Sequence, residues 1–503
     1  MPLNYLTKGT KTKSALTYFL FFPLGNTLAL GQAPFSLTYI SIFSLPIAAF
    51  LWLKFANQPK RSFLVGGIWG LGYFSITMVW IVEPFMVEDE KYLYSLAPLA
   101  LIVLSSYLSL FWAIAFYIAK YFGGGSKTRQ ILNLIILLTL AEVARSYFLG
   151  GFPWGLISYS LIDTPFSWLA SVCGPYVLSS LIYFMFFSII ISLRWLLFNI
   201  TLMLVLVSVS NLKYESSSPL KSANFNLKLI QPNISQSEKW DSTKFDFFYK
   251  KYVNLGTESP DSDIIIFPET AFATDSKTLP NFIKKLTGDL NSNAIVGVKR
   301  LDLPESRLYN SILFADRSGF LHSIYDKQYL VPFGEYIPLI NLLIPKETEK
   351  IYGYSAGKEF DEISFINLPT LLPAICYEII FSVRLGRRVK EAHWILNLTN
   401  DAWFGDFSGP QQHLVQARMR AIELGLPVVR VANTGITAII NADGKIISTL
   451  DLHEEGALNS KLPAKASSTP YLSLGPNNWL SFLIMLNLLA FFLINFVSKK
   501  ARI

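Results

Sequence analysis

Residues 371–381, LLPAICYEIIF, form an apolar run that leads into a chemically reactive side chain, Cys376. The run Leu371–Ile375 is typical of a short buried strand. The residues after Cys376 can begin a helix, and the partial positive charge at a helix N-terminus favours the thiolate over the thiol. The segment therefore predicts a strand that ends in a nucleophile, although a buried small hydrophobic residue is the ordinary interpretation of a single Cys.

Two other segments also join an apolar run to a reactive residue. DIIIFPET, at 263–270, contains Glu269, and YDKQYLVPFGEYIP, at 325–338, contains Lys327 and Glu335. A single Glu or Lys needs no functional explanation, so the interpretation rests on their joint presence. Because reactive groups collect at the carboxyl ends of strands in α/β sheets, we expect these residues to meet Cys376. Glu269 would then take the thiol proton, and Lys327 would favour the thiolate and stabilise an oxyanion.

Residues 212–475 alternate short apolar runs with amphipathic stretches, which is typical of an α/β domain. Helices are predicted at Leu279–Leu290 and Gln411–Leu424, and ITAIINADGKIIST, at 436–449, predicts a hairpin. The predicted strands are Leu227–Gln231, Ile264–Phe267, Ala294–Val298, Ser311–Phe314, Leu371–Ile375, Trp394–Leu398 and Val428–Val431.

The rest of the chain is strongly apolar. Hydrophobic residues make up 52% of the 503 residues, against roughly 45–50% in soluble domains, and the excess lies in 1–211 and 478–497. A membrane-spanning helix needs about 20 apolar residues. The sequence predicts about eight spans, at 14–30, 36–53, 62–82, 93–119, 130–149, 167–190, 194–211 and 478–497.

Basic residues next to the spans predict the orientation of the chain. If the spans alternate, five basic clusters fall on one side, which the positive-inside rule makes cytoplasmic. Residues 1–211 are then transmembrane helices, 212–475 an outward-facing domain, and 476–503 a last helix with a short cytoplasmic tail. The clusters are Lys8, Lys11 and Lys13; Lys54, Lys60 and Arg61; Lys120, Lys127 and Arg129; Arg194; and Lys499, Lys500 and Arg502.

The three reactive segments resemble the catalytic motifs of the nitrilase superfamily. QPNISQSEKWD, at 231–241, and NLTNDAWFG, at 397–405, are also similar to that superfamily. The resemblance implies a four-layer αββα sandwich and a Glu–Lys–Cys triad. By motif match, that triad is Glu269, Lys327 and Cys376.

The membrane part narrows the resemblance to one branch. Several spans before a nitrilase-like domain and one after it resemble the apolipoprotein N-acyltransferase family, as do LGYFSITMVW, at 71–80, and GGFPWGLISYS, at 150–160. The resemblance implies that a phospholipid acylates the cysteine and that the thioester then acylates the α-amine of a diacylglyceryl-cysteine lipoprotein. It also implies the bacterial inner membrane, with the catalytic domain on the periplasmic side and phosphatidylethanolamine as the expected donor.

Other residues receive weaker assignments. Glu335 is expected to orient Lys327 or the thiol, and Tyr377 and Glu378 are expected near the pocket, with a buried Tyr and a helix-terminal Glu as the alternatives. An acyl entrance is expected to be lined by Trp240, Trp403 and Phe404, and core packing is the alternative for each of the three. Glu142 and Arg145, three residues apart, are expected to form a structural ion pair near the membrane interface, with substrate contact as the alternative.

Several classes of function are disfavoured. The net charge is +8, but no basic stripe with interleaved aromatic residues predicts nucleic-acid binding. The four His lack metal-ligand spacing, so no metal is expected. No cofactor is expected either. The protein is expected to be a monomer. A membrane-tethered amidase remains an alternative that the triad alone does not exclude. A transporter or scaffold with a degenerate enzyme domain is disfavoured by the intact triad.

Overall fold

The computed structural model describes residues 18–87, 94–216, 222–258, 262–338, 353–358 and 362–497. The first part is entirely helical, and short 3₁₀ turns join some of its helices. The α-helices are α1 Phe21–Ala29, α2 Thr38–Phe55, α3 Pro59–Thr77, α4 Pro84–Val87, α5 Ala97–Gly123, α6 Lys127–Arg145, α7 Leu169–Ser188 and α8 Leu193–Ser216.

The second part contains two β-sheets with helices around them. Its strands are β1 Ser222–Gln231, β2 Ile264–Ile266, β3 Phe272–Asp275, β4 Asn293–Asp302, β5 Arg307–Ala315, β6 Leu321–Asp326, β7 Ile363–Phe365, β8 Leu368–Ile375, β9 Trp394–Thr399, β10 Val428–Ala432, β11 Thr437–Ile440, β12 Ile446–Leu450 and β13 Gly456–Pro463. Its helices are α9 Phe245–Thr257, α10 Leu279–Leu290, α11 Ser382–Gly386 and α12 Gly409–Leu424, and the chain ends in α13 Pro470–Leu474 and α14 Pro476–Phe492.

Fewer helices qualify as membrane spans than the eight predicted. Among the described residues, α2, α5, α7 and the helix Pro476–Phe496 are long and apolar enough to cross a membrane. A fifth span results if α3 and the segment Val79–Val87, bent by 66°, are counted together.

Three predicted spans fail this test for physical reasons. Helix α6 carries four charged residues, and the apolar part of α8, Leu193–Val209, is short. The predicted span 14–30 begins outside the described residues, and α1 has only 9 residues. The basic clusters at positions 8–13 and 499–502 also lie outside the described residues.

The helical part is held together by close backbone contacts. A Cβ atom added to Gly25 of α1 would lie 2.1 Å from the carbonyl oxygen of Trp69, and one added to Gly72 would lie 2.1 Å from that of Phe22. Helices α1 and α3 therefore pack backbone against backbone, which small residues permit in membrane proteins.

Glu142 and Arg145 form a fully buried ion pair with an oxygen–nitrogen distance of 2.5 Å, which confirms the structural pairing predicted from their spacing. Arg145 also donates hydrogen bonds to the carbonyl oxygens of Phe152, Trp154 and Gly155. The pair therefore fixes the loop after α6, because its cation satisfies three backbone acceptors there at once.

Replacing Arg145 by Met should destabilise the protein by about 3 kcal/mol or more, because Glu142 would remain buried without its cation. Thermal unfolding in detergent would measure the loss. The control is Arg61→Met, an exposed site where we expect a change within about 0.5 kcal/mol. Equal unfolding temperatures for the two variants would contradict the assignment.

The two sheets stack face to face. The first has the order β13-β1-β2-β4-β5-β6, with β3 beside β4, and the second has the order β12-β11-β10-β9-β8-β7. Buried side chains of both sheets form the layer between them, including Leu229 and Ile295 of the first and Leu396 and Val429 of the second. The period-2 alternation of strand side chains sends their neighbours to the outer faces.

Helices cover both outer faces and complete the αββα sandwich. Helices α9 and α10 pack on the first sheet, where Ile283 of α10 shares a core with Ile265. One side of helix α12 packs on the second sheet. Its other side packs on the helical part, where Trp154 and Tyr176 belong to the same apolar core. One apolar core therefore joins the sandwich to the helices that precede it.

Candidate active site

Glu269, Lys327 and Cys376 all follow the carboxyl ends of strands: β2, β6 and β8 respectively. The Lys327 Nζ atom lies 2.8 Å from Glu335 Oε1 and 3.5 Å from Glu269 Oε1. Glu269, Lys327 and Cys376 are buried. The structure thus brings Lys327 between two carboxylates, and the charges of Glu269 and Lys327 both act on the Cys376 thiol.

Asn310 bridges the two carboxylates, a role that the sequence did not indicate. Its Nδ2 atom donates to Glu269 Oε1 at 2.7 Å and to Glu335 Oε1 at 3.2 Å. The second oxygen of Glu335 accepts a hydrogen bond from the Val331 backbone N–H at 2.8 Å. These bonds fix both carboxylates on Lys327, so that the cation is held in place from two sides.

Cys376 adopts an unusual backbone conformation, with φ of +48°. A non-glycine residue in this left-handed region costs on the order of 1–3 kcal/mol and must be held there by its surroundings. The predicted helix after it is short: a 3₁₀ turn, Cys376–Ile380, precedes the five-residue α11. The macrodipole available to the thiol is correspondingly small.

Burial raises the pKa of the Cys376 thiol, and the negative charge of Glu269 raises it further, while Lys327 lowers it in part. This corrects the expectation that the helix and Lys327 together would favour the thiolate. The resting Cys376 side chain is therefore a thiol, and it would need a base to remove its proton before it could act as a nucleophile.

The pKa of Glu269 is also raised, first by burial and then by Glu335, against the opposing effect of Lys327. Burial alone would lower the pKa of Lys327, but the carboxylates of Glu335 and Glu269 outweigh it and the pKa is raised. Lys327 is therefore a permanent cation, whereas Glu269 is a stronger base than an exposed glutamate. Such a pair suits removal of a proton from a nearby thiol.

Glu378 is buried and connects the segments that carry Lys327 and Cys376. Its carboxylate accepts hydrogen bonds from the backbone N–H of Gln328 at 2.7 Å and of Ile375 at 2.7 Å. It also accepts from the Tyr325 hydroxyl. The end of β8 and the residues next to Lys327 thus share one anchor, which fixes Cys376 relative to Lys327.

Tyr377 is directed toward the helical part. Its hydroxyl donates to the Gly151 carbonyl oxygen at 3.1 Å, and Arg384 donates to that of Gly150 at 3.1 Å. The loop after α6, held by Arg145, therefore contacts the segment that carries Cys376. Further along this loop, Trp154 Nε1 donates to Gln412 Oε1 of α12 at 2.6 Å.

Lys239 is a second site residue whose role the sequence did not indicate, although it lies in the nitrilase-like segment 231–241. Its buried Nζ atom donates to the Glu269 carbonyl oxygen at 3.1 Å and to Thr270 Oγ1 at 3.0 Å. Burial lowers its pKa to about 8. The signal that could have identified Lys239 is its position directly before Trp240, which is predicted to line the acyl entrance.

The three aromatic residues assigned to an acyl entrance have different surroundings. Trp240 is 40% exposed and lies beside the ammonium groups of Lys239 and Lys299. Phe404 packs against Trp80 and Trp154 of the helical part, with ring centroids 4.9 and 5.5 Å away. Trp403 is half-buried beside it. The core-packing alternative therefore fits Phe404, whereas the Trp240 ring remains accessible to solvent.

The arrangement can perform acyl transfer. A protonated thiol after a strand of the second sheet and, after strands of the first, a base of raised pKa and a fixed cation provide nucleophile, proton acceptor and oxyanion partner.

Family models match both parts of the chain. The model described as the apolipoprotein N-acyltransferase N-terminal domain matches residues 24–189, and the carbon–nitrogen hydrolase model matches residues 229–471. The first covers the helical part up to α7, and the second covers the sandwich, which agrees with a nitrilase-like fold.

Similar proteins cover nearly the whole chain. The apolipoprotein N-acyltransferase of Rhodopseudomonas palustris is 34% identical, over 90% of this chain and 90% of its own. That of Brucella suis is 33% identical, over 95% and 94%. Among solved structures, a nitrilase-superfamily member of Saccharomyces cerevisiae is 16% identical, with a TM-score of 0.37, and covers 53% of this chain and 95% of its own.

Proposed function

The chain belongs to the apolipoprotein N-acyltransferase family, and from this premise we propose that Cys376, Glu269 and Lys327 carry out its acyl transfer through a thioester. The family acts in lipoprotein biosynthesis, so the substrates are in general a phospholipid and a lipoprotein. The observation that carries the proposal is the position of Lys327 between Glu269 and Glu335, with its charge and that of Glu269 acting on Cys376.

In the first half-reaction, Glu269 removes the thiol proton as the sulfur attacks the ester carbonyl of the phospholipid. The S–C bond forms, the C–O ester bond breaks, and Glu269 returns the proton to the departing lysophospholipid oxygen. The Lys327 ammonium stabilises the oxyanion between these events. The thioester remains on Cys376.

In the second half-reaction, the α-amine of the diacylglyceryl-cysteine attacks the thioester. The N–C bond forms, the C–S bond breaks, and the amine proton passes through Glu269 to the sulfur. Two displacements on one sulfur replace a single difficult transfer. We propose phosphatidylethanolamine as the donor and the monomer as the active unit, since one chain supplies the whole triad.

We also propose that the domain, residues 212–475, faces the periplasm from the bacterial inner membrane. Loops that contact it, at Ala33 and Gly151, lie at one end of the helical part. At the opposite end, the start of α6 lies beside the end of α14, where Asn133 and Asn495 exchange hydrogen bonds. The basic residues in the first turns of α3, Lys60 and Arg61, and of α6, Lys127 and Arg129, belong to this second, cytoplasmic end.

We further propose that α1, α6 and α8 lie within the bilayer beside the four to five spans identified by length and composition. Glu142 and Arg145 of α6 are paired with each other, which lowers the cost of burying their charges there. The predicted total of eight would then hold for the folded bundle.

Mass spectrometry would test the thioester directly. Wild-type protein in detergent, incubated with phosphatidylethanolamine alone, should gain one acyl group on Cys376 and none on Cys173, its internal control. Addition of a diacylated lipopeptide should then discharge the acyl group onto the peptide amine. Release of free fatty acid without N-acylation would instead identify a hydrolase, and the absence of an adduct on Cys376 would refute the mechanism.

The raised pKa of Glu269 predicts the pH dependence of thioester formation. Glu269 must be ionised to accept the thiol proton, so the rate should fall as the pH drops through its raised pKa. The acid limb should therefore lie above the ordinary glutamate pKa of about 4.3. Single-turnover acylation between acidic and neutral pH measures it, and a midpoint at or below the ordinary value would contradict this assignment.

A further inference from the structure

The carbonyl group of Cys376 is held by a buried histidine of α12. His413 Nε2 lies 3.2 Å from the Cys376 carbonyl oxygen. A carbonyl oxygen only accepts hydrogen bonds, so the proton of this bond belongs to Nε2. From this contact, we infer that His413 is a positioning residue for the nucleophile, one that sets the Cys376 peptide plane through its Nε2–H tautomer. The inference rests on the proposed role of Cys376.

A charged network holds the other side of the ring. His413 Nδ1 lies 3.1 Å from Arg430 Nη2 and 3.0 Å from Asp401 Oδ1. Arg430 donates to the second oxygen of Asp401 at 2.5 Å, and the Thr399 hydroxyl donates to the first at 2.9 Å. Nδ1 therefore faces both a guanidinium donor and a carboxylate acceptor, and the proton on Nε2 is assigned from the contact with the Cys376 carbonyl oxygen.

Electrostatics keeps the ring neutral. Burial lowers the pKa of His413, and the positive charge of Arg430 lowers it further, against the opposing effect of the Asp401 carboxylate. Burial alone would raise the pKa of Asp401, but Arg430 and His413 outweigh it and hold this pKa well below its usual range. Asp401 thus stays ionised on Arg430, and the imidazole keeps one proton for the Cys376 carbonyl.

The contact matters because of the backbone at Cys376. Its φ of +48° requires support from its surroundings. The C=O and N–H of one trans peptide point in opposite directions. A bond that fixes the Cys376 carbonyl toward α12 therefore also directs the Tyr377 N–H away from α12. Both the sulfur and a backbone donor beside it are thereby oriented.

The ring also connects the nucleophile to the helical part. Trp154 stacks on His413 with a centroid distance of 5.7 Å, and Phe404 meets it edge-on at 5.3 Å. Neighbouring Gln412 bonds Trp154 on one side and the Ala33 carbonyl on the other. The loop after α6 therefore supports the ring that supports Cys376.

Two variants of the full-length protein separate this role from simple packing. A Gln side chain reaches the position of Nε2 and can donate to the carbonyl, whereas Asn reaches only that of Nδ1. We expect H413N to lower kcat about 100-fold with KM changed less than about 2-fold. H413Q should restore kcat to within about 5-fold of the wild-type value.

The readout is thioester formation per folded molecule, with phosphatidylethanolamine as the probe. Equal rates for H413N and H413Q, whether both high or both low, would overturn the inference. Wild-type protein that forms no adduct on Cys376 would instead refute the proposed function, so the two failures are distinguishable.

A measurement on the wild-type protein covers the case in which a variant does not fold. The chain has four His, so ¹⁵N-histidine labelling yields few signals. One of them should show a neutral ring protonated at Nε2, and this signal should be absent from H413Q. Assignment of His413 as an Nδ1–H ring or as an imidazolium at neutral pH would overturn the inference.

Discussion

Replacing Cys376 by Ser should lower acyl transfer by about 10⁴-fold or more, because the hydroxyl is a far weaker acid than the thiol and Glu269 is too weak a base to activate it. The substitution changes one buried atom, so the fold should persist. Acyl transfer from phosphatidylethanolamine to a diacylated lipopeptide would measure the loss.

Cys173→Ser is the matched control. This cysteine is also buried, but it lies in helix α7 and away from the triad. The control should retain transfer within about 2-fold. A Cys376→Ser enzyme that retained more than a few per cent of wild-type transfer would exclude a thioester at this position.

Replacing Lys327 by Met should lower transfer by about 10³-fold and also reduce stability in a pH-dependent way. Without the cation, Glu269 and Glu335 would face each other in a buried site, at a cost of about 3 kcal/mol near neutral pH. One of them would take up a proton more readily in the folded than in the unfolded state. The destabilisation should therefore shrink as the pH falls, since protonation relieves the repulsion.

Thermal unfolding at pH 8 and pH 5 would measure this difference. Lys284→Met, at an exposed site on α10, is the control and should change stability little at either pH. A Lys327→Met protein with the same unfolding temperature shift at both pH values would contradict the coupling between Lys327 and the two carboxylates.

The strands around the site were predictable because each is a short run of buried apolar residues. Six of the seven predicted strands lie within observed ones, the seventh, Ile264–Phe267, extends one residue past β2, and the hairpin of β11 and β12 is confirmed. Strands such as β13, GALNSKLP, were missed because they are half-exposed and carry polar residues. A strand that is buried on both faces shows a continuous apolar run in the sequence, and an edge strand lacks that run.

The number of membrane spans was predicted less well, because amino-acid composition does not show which charged residues pair in the folded protein. Helix α6 carries Glu142 and Arg145, which neutralise each other only in the folded structure. The thiol was misjudged for a related reason: Lys327 does act on Cys376, but it is already held by two carboxylates. Nothing in the sequence indicated the role of Asn310, because a single Asn inside a strand becomes informative only when its neighbours in the fold are known.

Helix α12 bears on how this protein could be dissected. It covers the second sheet on one side and meets Trp154 and Tyr176 on the other. A fragment comprising residues 212–475 would expose the apolar flank of α12 to water, and Gln412 would lose its hydrogen-bond partner Trp154. Such a fragment should aggregate during purification, and crystallographers seeking a water-soluble form would have to redesign that flank with polar residues first.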